Sequence, residues 1–226
     1  MSEAILKDGE KGAVLQRDKE TYAIVPHFSV GLVTANDLRK IADVADKYNV
    51  AAMKITSAAR IAMVGFKKED LDQAWQDLGL DPGHAAGLCV RSIKACPGTT
   101  LCRLGKQDSL SLGKELDSRY HGYQLPNKCK IGVSGCINNC AETPVKDIGF
   151  VGKPKGWTVM VGGNAASRPQ LARELVDGLN EAQALEVADK IIKFYEQEGK
   201  KAERLGKFID RIGFAAFKEN VLYSTF

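Results

Sequence analysis

No stretch of this chain stays apolar long enough to span a bilayer, since Asp, Glu, Lys or Arg interrupts every candidate. The polar first twenty residues contain no secretory apolar region, which predicts a cytoplasmic chain. Net charge is also scarce: 32 Lys and Arg against 28 Asp and Glu leave +4. No basic run is interleaved with aromatics, so nucleic acid is not an expected partner. Low-complexity tracts are missing, and so is a Gly-x-Gly-x-x-Gly strand–turn–helix fingerprint. What is present is ordinary for a soluble globular protein: 226 residues, 44% hydrophobic and 27% charged. That length can bury a core in one large domain or two small ones.

Tyr22 to Pro26 reads as a strand ended by its proline. Thr34-Ala35-Asn36-Asp37 has the form of a capping box, with Asp37 as the reciprocal acid, and opens a helix whose stripe is Leu38, Ile41, Ala45 and Tyr48. Ala51 to Thr56 and Ile61 to Phe66 read as strands. A helix from Glu69 to Leu78 follows, carrying Leu71, Trp75 and Leu78 and stopping at Gly79. The order β-α-β-β-α predicts an α+β, ferredoxin-like half over residues 21–80, behind a polar segment at 1–20. Asp81-Pro82-Gly83 marks the joint. Residues 81–226 then mix short strands near 90–95, 128–134, 147–151 and 157–162 with Gly-rich turns and a helix near 107–120. From Pro169 the pattern reads as helical through Leu222, with Gly178, Gly199, Gly206 and Gly213 as breaks.

All six cysteines fall between residues 89 and 140. Cys96 and Cys102 form Cys-x5-Cys, Cys136 and Cys140 form Cys-x3-Cys, and both pairs sit among turn-forming residues. An iron–sulfur cubane needs four thiolates converging from loops, with backbone N–H groups turned to the sulfurs. Structural zinc is the rival reading, although zinc knuckles favour two-residue spacings. A disulfide framework is the bland one, and a chain of this size without an export signal does not need it. Cys89 has no partner at a cubane spacing and reads as buried. Strand alternation sends Cys129, Ile131 and Val133 to one face, a core face, and puts Lys128 and Lys130 together on the other. Two adjacent ammonium groups suit open solvent or an anion.

These residues resemble a known family, the siroheme-dependent sulfite and nitrite reductases. Val90 through Cys96 and Cys102 through Ser109 are similar to its first cluster segment, and Val133 through Glu142 to its second. Lys146-Asp147-Ile148-Gly149 continues the match, and Val161-Gly162-Gly163-Asn164 resembles the glycine turn that approaches the macrocycle. Upstream, Val33-Thr34, Ile55-Thr56 and Arg60 are similar to the ferredoxin-like half, so the resemblance spans roughly residues 20 to 200. In size the chain matches the small, single-unit assimilatory type. One departure lies in Thr56-Ser57-Ala58-Ala59-Arg60, where the family's strand arginine has shifted along the chain. Another is His27, which stands where larger relatives carry arginine and reads as a structural histidine, with a proton donor as the alternative.

The resemblance implies an α+β domain at 81–226 that binds siroheme and one [4Fe-4S] cluster and ends in helices. Cys96, Cys102, Cys136 and Cys140 would hold the cluster, and Cys140 would bridge it to the siroheme iron. Arg60, Arg91, Lys128 and Lys130 fall where the family binds its oxyanion and siroheme carboxylates, and an octacarboxylate cannot be buried without matching cations. Lys54, Asn138, Gly162, Gly163 and Asn164 are the further cofactor-contacting positions. The implied activity is six-electron reduction of sulfite to sulfide, with nitrite reduction to ammonia as the alternative on the same cofactors. A non-catalytic iron–sulfur electron carrier or redox sensor is a third reading, but a carrier needs no oxyanion pocket. With no dinucleotide fingerprint and no flavin signature, electrons would come from an external donor protein such as a ferredoxin. Larger relatives resemble two fused copies of this unit, which implies a homodimer with shared sites.

Overall fold

In a computed structural model that describes residues 5–223, the chain folds as two units, residues 1–87 and 88–226. In the first, β1 (Ala13–Leu15), β2 (Tyr22–Ile24), β3 (Ala52–Ile55) and β4 (Ile61–Phe66) form an antiparallel sheet in the order β1-β2-β4-β3. Helix α1 (Ala35–Lys47) opens on the predicted capping box. Thr34 Oγ1 accepts the Asp37 N–H at 3.1 Å, and the Asp37 carboxylate accepts the Thr34 N–H at 2.9 Å. Two donors that the helix leaves unpaired are thereby satisfied. Its buried face is Ile41, Val44 and Ala45, whereas Leu38, in the first turn at the margin of the stripe, is 45% exposed. Helix α2 (Leu71–Leu78) buries Leu71, Ala74 and Leu78 and stops at Gly79, whose φ of 57° suits glycine. The polar N-terminal segment is not set apart: it supplies β1, where Ala13 is buried opposite Ile24. Three residues are too few to show a strand period.

In the second unit, β5 (Lys94–Ala95), β6 (Ile131–Ser134), β7 (Ile148–Lys153), β8 (Gly156–Val161) and β9 (Arg173–Leu179) form a sheet in that order. It is parallel from β5 to β7 and antiparallel from β7 to β9. Helices α3 (Gly98–Leu101) and α4 (Ser109–Tyr120) connect β5 to β6, and α5 (Glu181–Glu198), α6 (Leu205–Ile212) and α7 (Phe214–Tyr223) follow β9. Every residue of β6, and all of β7 but Lys153, is buried, so these strands are apolar or small throughout rather than alternating.

The expectation of helix from Pro169, broken only at glycines, fails at β9. Leu171, Leu175 and Leu179 recur every fourth residue, as in a helix. But β8 is buried at Trp157, Val159 and Val161, and its backbone groups on the side away from β7 need partners; β9 supplies them. Helix α5 begins only after Asn180, whose side chain accepts the Gln183 N–H at 2.9 Å in a second capping box.

Candidate active site

The parallel pairing of β5 and β6 decides where the cysteines go. Lys94 is in register with Gly132 and Ala95 with Val133, and the Cys96 N–H continues the ladder to the Val133 carbonyl at 3.0 Å. Both cysteine motifs therefore leave the same edge of the sheet. The Gly135 N–H donates to Cys96 Sγ at 3.1 Å, and the Gly135 carbonyl accepts the N–H groups of Lys106 (2.7 Å) and Gln107 (3.1 Å). A Cβ on Gly135 would stand 2.7 Å from Gly98 Cα, so the two motifs touch backbone to backbone where no side chain fits. Cys102 ends α3, its N–H donating to the Gly98 carbonyl at 2.9 Å. Ser109 Oγ lies 3.3 Å from Cys96 Sγ and donates to the Cys96 carbonyl at 2.7 Å.

The second motif turns on two left-handed residues, Asn139 (φ 53°) and Glu142 (φ 59°). Ser134 Oγ accepts the Ala141 N–H at 3.0 Å, and the Glu142 carboxylate lies 3.2 Å from Lys94 Nζ and 3.0 Å from Lys146 Nζ. Glu142 thus ties the turn after Cys140 to the strand before Cys96. Cys136 is buried, Cys96 and Cys102 are half-buried, and Cys140 is exposed. All six cysteines are thiols, and among the described residues no three His, Cys, Asp or Glu side chains gather as tightly as a single metal ion requires.

The basic residues lie at the other end of the same strands. Val90 is bridged in parallel to Cys129, and the Arg91 N–H donates to the Cys129 carbonyl at 2.9 Å. Val90 and Cys129 are buried, so alternation turns Arg91, Lys128 and Lys130 to the opposite face. Burial lowers the Arg91 guanidinium from its ordinary value. Lys130, although exposed, is also lowered, first by partial desolvation and then by repulsion from Lys146, Arg204 and Lys128. Cys129 is a core thiol that burial pushes well up. The turn after β8 arrives at this end too, because Val161 pairs with Ile148 at the start of β7. A Cβ on Gly163 would meet the carbonyls of Lys146 and Pro144, the latter at 2.6 Å, and Asn164 pairs backbone to backbone with Gln170.

The predicted site residues of the second unit therefore form two groups. Cys96, Cys102, Cys136, Cys140 and the exposed Asn138 occupy one end of β6; Arg91, Lys128, Lys130, Gly162, Gly163 and Asn164 occupy the other. Arg60, Lys54 and His27 belong to the first unit. Arg60 is buried there with Nη1 donating to the Gly83 carbonyl, Lys54 is exposed on β3, and His27 is half-buried, its N–H donating to the Asp81 carbonyl at 2.8 Å.

Residues 14–80 match the nitrite/sulfite reductase ferredoxin-like half domain, and residues 86–225 match the nitrite and sulphite reductase 4Fe-4S domain. The chain belongs to the nitrite and sulphite reductase family. It is 43% identical over 217 residues to an assimilatory-type sulfite reductase of Nitratidesulfovibrio vulgaris, an overlap of 96% of this chain and 100% of that protein. It is 39% identical over 203 residues to an NAD(P)H nitrite reductase of Bacillus subtilis, but that overlap of 90% of this chain is 25% of the larger protein. Two solved structures share the fold. Dissimilatory sulfite reductase I has a TM-score of 0.80 at 17% identity, over 91% of this chain and 70% of that one. The Mycobacterium tuberculosis NirA protein has a TM-score of 0.80 at 20% identity, over 96% and 43%.

Membership makes the protein an oxidoreductase of the sulfite and nitrite reductase type and implies a [4Fe-4S] cluster with a siroheme. The residues present fit both. Four thiols stand on loops at one sheet edge, and a backbone N–H is already aimed at one sulfur, as cluster ligation needs. Around them Leu101 (74% exposed), Leu104 (50%) and Ile137 (71%) leave an apolar rim of the kind a flat macrocycle covers. Sequence reasoning missed this rim, along with Glu142 and Ser109. It also assigned nothing to Asp147 and Arg204, although a charged residue directly before the buried strand β7 was a readable signal.

Proposed function

We propose that the protein reduces sulfite to sulfide, taking six electrons from an external protein donor in the cytoplasm. The observation that carries this is the meeting of the two cysteine motifs at one sheet edge through the Gly135 to Cys96 hydrogen bond. Similarity along the full length of a single-unit sulfite reductase favours sulfite over nitrite. When bound, the coupled cluster and siroheme supply the redox chemistry. Cys96, Cys102, Cys136 and Cys140 would hold the cluster, and Cys140, the exposed one of the four, would also face the siroheme. Arg60, Arg91, Lys128 and Lys130 offset the charge of the anion and of the siroheme carboxylates and pass protons as S–O bonds break. Lys54, Asn138, Asn164 and the Gly162-Gly163 turn orient the cofactor.

Anaerobic reconstitution with siroheme tests this. The expected product has a combined siroheme and cluster spectrum, four irons beyond the siroheme iron, and sulfite-dependent oxidation of a reduced viologen that yields sulfide. A protein that takes up zinc and no tetrapyrrole sinks the assignment, and a higher kcat/KM for nitrite replaces sulfite with nitrite.

The two-ended arrangement further supports a homodimer with shared sites. Extended chain from Arg91 to Cys96, or from Lys130 to Cys136, covers roughly 16–20 Å, so within one second unit the cations stand at the far end of the strands from the thiols. In a two-fold dimer each site takes its thiols from one subunit and its cations from the other. Mixing Cys140→Ser subunits with Lys128→Ala/Lys130→Ala subunits then restores part of the activity, because each heterodimer keeps one intact site. No recovery in a verified heterodimer, or an active monomer, rules this out.

A further inference from the structure

At the basic end of the second unit, two of the proposed site residues hang on one buried ion pair, and a third bonds to the backbone of its acid. Asp147 is fully buried. Its Oδ2 accepts the Lys130 N–H at 2.8 Å, and its backbone carbonyl accepts the Gly162 N–H at 2.8 Å. Arg204, 9% exposed, grips the carboxylate with a fork, Nε to Oδ1 at 2.7 Å and Nη2 to Oδ2 at 2.9 Å. Its remaining nitrogen, Nη1, donates to the Asn164 side-chain oxygen. One pair thereby joins the start of β6, the start of β7, the turn after β8 and the residue that begins α6.

Stability alone is a poor account of this arrangement. Two desolvated charges contribute little net stability compared with apolar groups of the same volume. A bidentate guanidinium fixes direction instead, since its nitrogens lie in one plane at set angles. Burial pushes the Asp147 carboxyl up while the Arg204 bonds oppose it. The fork is what keeps the carboxylate available to the Lys130 backbone N–H.

We infer that Asp147 and Arg204 are a positioning pair, setting the register of Lys130 and the orientation of Asn164 toward an oxyanion. That oxyanion is either sulfite or a siroheme carboxylate. The inference rests on the reading of Lys130 and Asn164 as ligands of such groups.

The test is a double-mutant cycle on the holoenzyme with Asp147→Asn, Lys130→Ala and the double variant, and Arg204→Lys in place of Asp147→Asn should that variant fail to fold. Arg204→Lys keeps the charge and loses the fork. Three quantities are measured: the sulfite dissociation constant from the visible spectrum, siroheme retained per chain after desalting, and Tm. Removing such a supporting contact is expected to weaken binding about tenfold. In the Lys130→Ala background the same substitution adds less binding loss than in wild type, only the share carried by Asn164, yet it lowers Tm as much as in wild type. A loss confined to sulfite affinity identifies the substrate as the ligand, and one confined to siroheme retention identifies the cofactor carboxylate. Full additivity in binding, or a change in Tm alone, overturns the positioning role while leaving Lys130 as a ligand. Wild-type sulfite affinity and siroheme retention in Lys130→Ala overturns the reading beneath it as well.

Discussion

Replacing Gly98 with alanine separates two costs that glycine avoids. Gly98 (φ 55°) and Gly178 (φ 76°) are both left-handed, a conformation that costs an L side chain about 1–2 kcal/mol. At Gly178 a Cβ meets nothing within 4 Å, so Gly178→Ala should lose that amount and no more. At Gly98 the Cβ would press on Ser109 Oγ and lie 2.6 Å from the Ser109 nitrogen and 2.9 Å from the Gln107 carbonyl oxygen. Backbone atoms cannot swing aside as a side-chain end can, and overpacking of this kind adds about 1–3 kcal/mol. The expected loss for Gly98→Ala is therefore about 2–5 kcal/mol, within the roughly 5–15 kcal/mol that holds a domain folded. The displaced atoms belong to the segment that the Gly135 carbonyl holds against the cysteine edge, so cluster loading should fall too. The chain has two tryptophans, one in each unit, and a Trp75→Phe background leaves Trp157 to report on the second. Urea unfolding of the cofactor-free variants gives the stability change, and iron and sulfide analysis after reconstitution gives the loading. Equal losses at the two positions, or full loading in Gly98→Ala, would refute the close-approach argument.

Cys140→Ser should abolish sulfite reduction and uncouple or lose the cluster, whereas Cys129→Ser, in the core, should lower stability and leave the cofactor spectrum intact. The reverse pattern in absorption spectra counts against the assignment. Ser109→Ala removes a hydroxyl 3.3 Å from Cys96 Sγ. Its one proton goes to the Cys96 carbonyl, so a lone pair faces the sulfur and disfavours the more negative reduced state; without it the midpoint potential should rise. A redox titration followed by electron paramagnetic resonance reads the shift, and an unchanged potential rejects the contact. Hydrogen bonds from Arg211 hold the Glu203 carboxyl at about 2, below its ordinary 4.5. A carboxyl depressed in the folded state contributes stability that is complete above pH 4.5 and lost as pH falls toward 2. Circular dichroism melts across that range should show a shallower decline for Glu203→Gln, and identical slopes would deny the pair a role.

Much of the fold was legible because local chemistry acts over few residues. The Thr34 and Asp37 capping box, the stop at Gly79 and the core face of Cys129 all formed as the residues predict, since caps, left-handed glycines and strand alternation depend on near neighbours. The spacing of the four paired cysteines pointed to the family in the same way. Strand β9 was not legible, because leucines four apart suit a helix until the open side of β8 requires a partner. Nor was the Asp147–Arg204 pair, whose members are 57 residues apart and meet only once α6 packs at the end of the sheet. The sequence by itself determined which residues turn, cap and alternate. Tertiary structure alone decided which strands are neighbours. Parallel pairing of β5 with β6 set Gly135 against Cys96, 39 residues away, and put thiols and cations at opposite ends of the same strands. That pairing comes from burying both strands in a common core, and no local pattern encodes it.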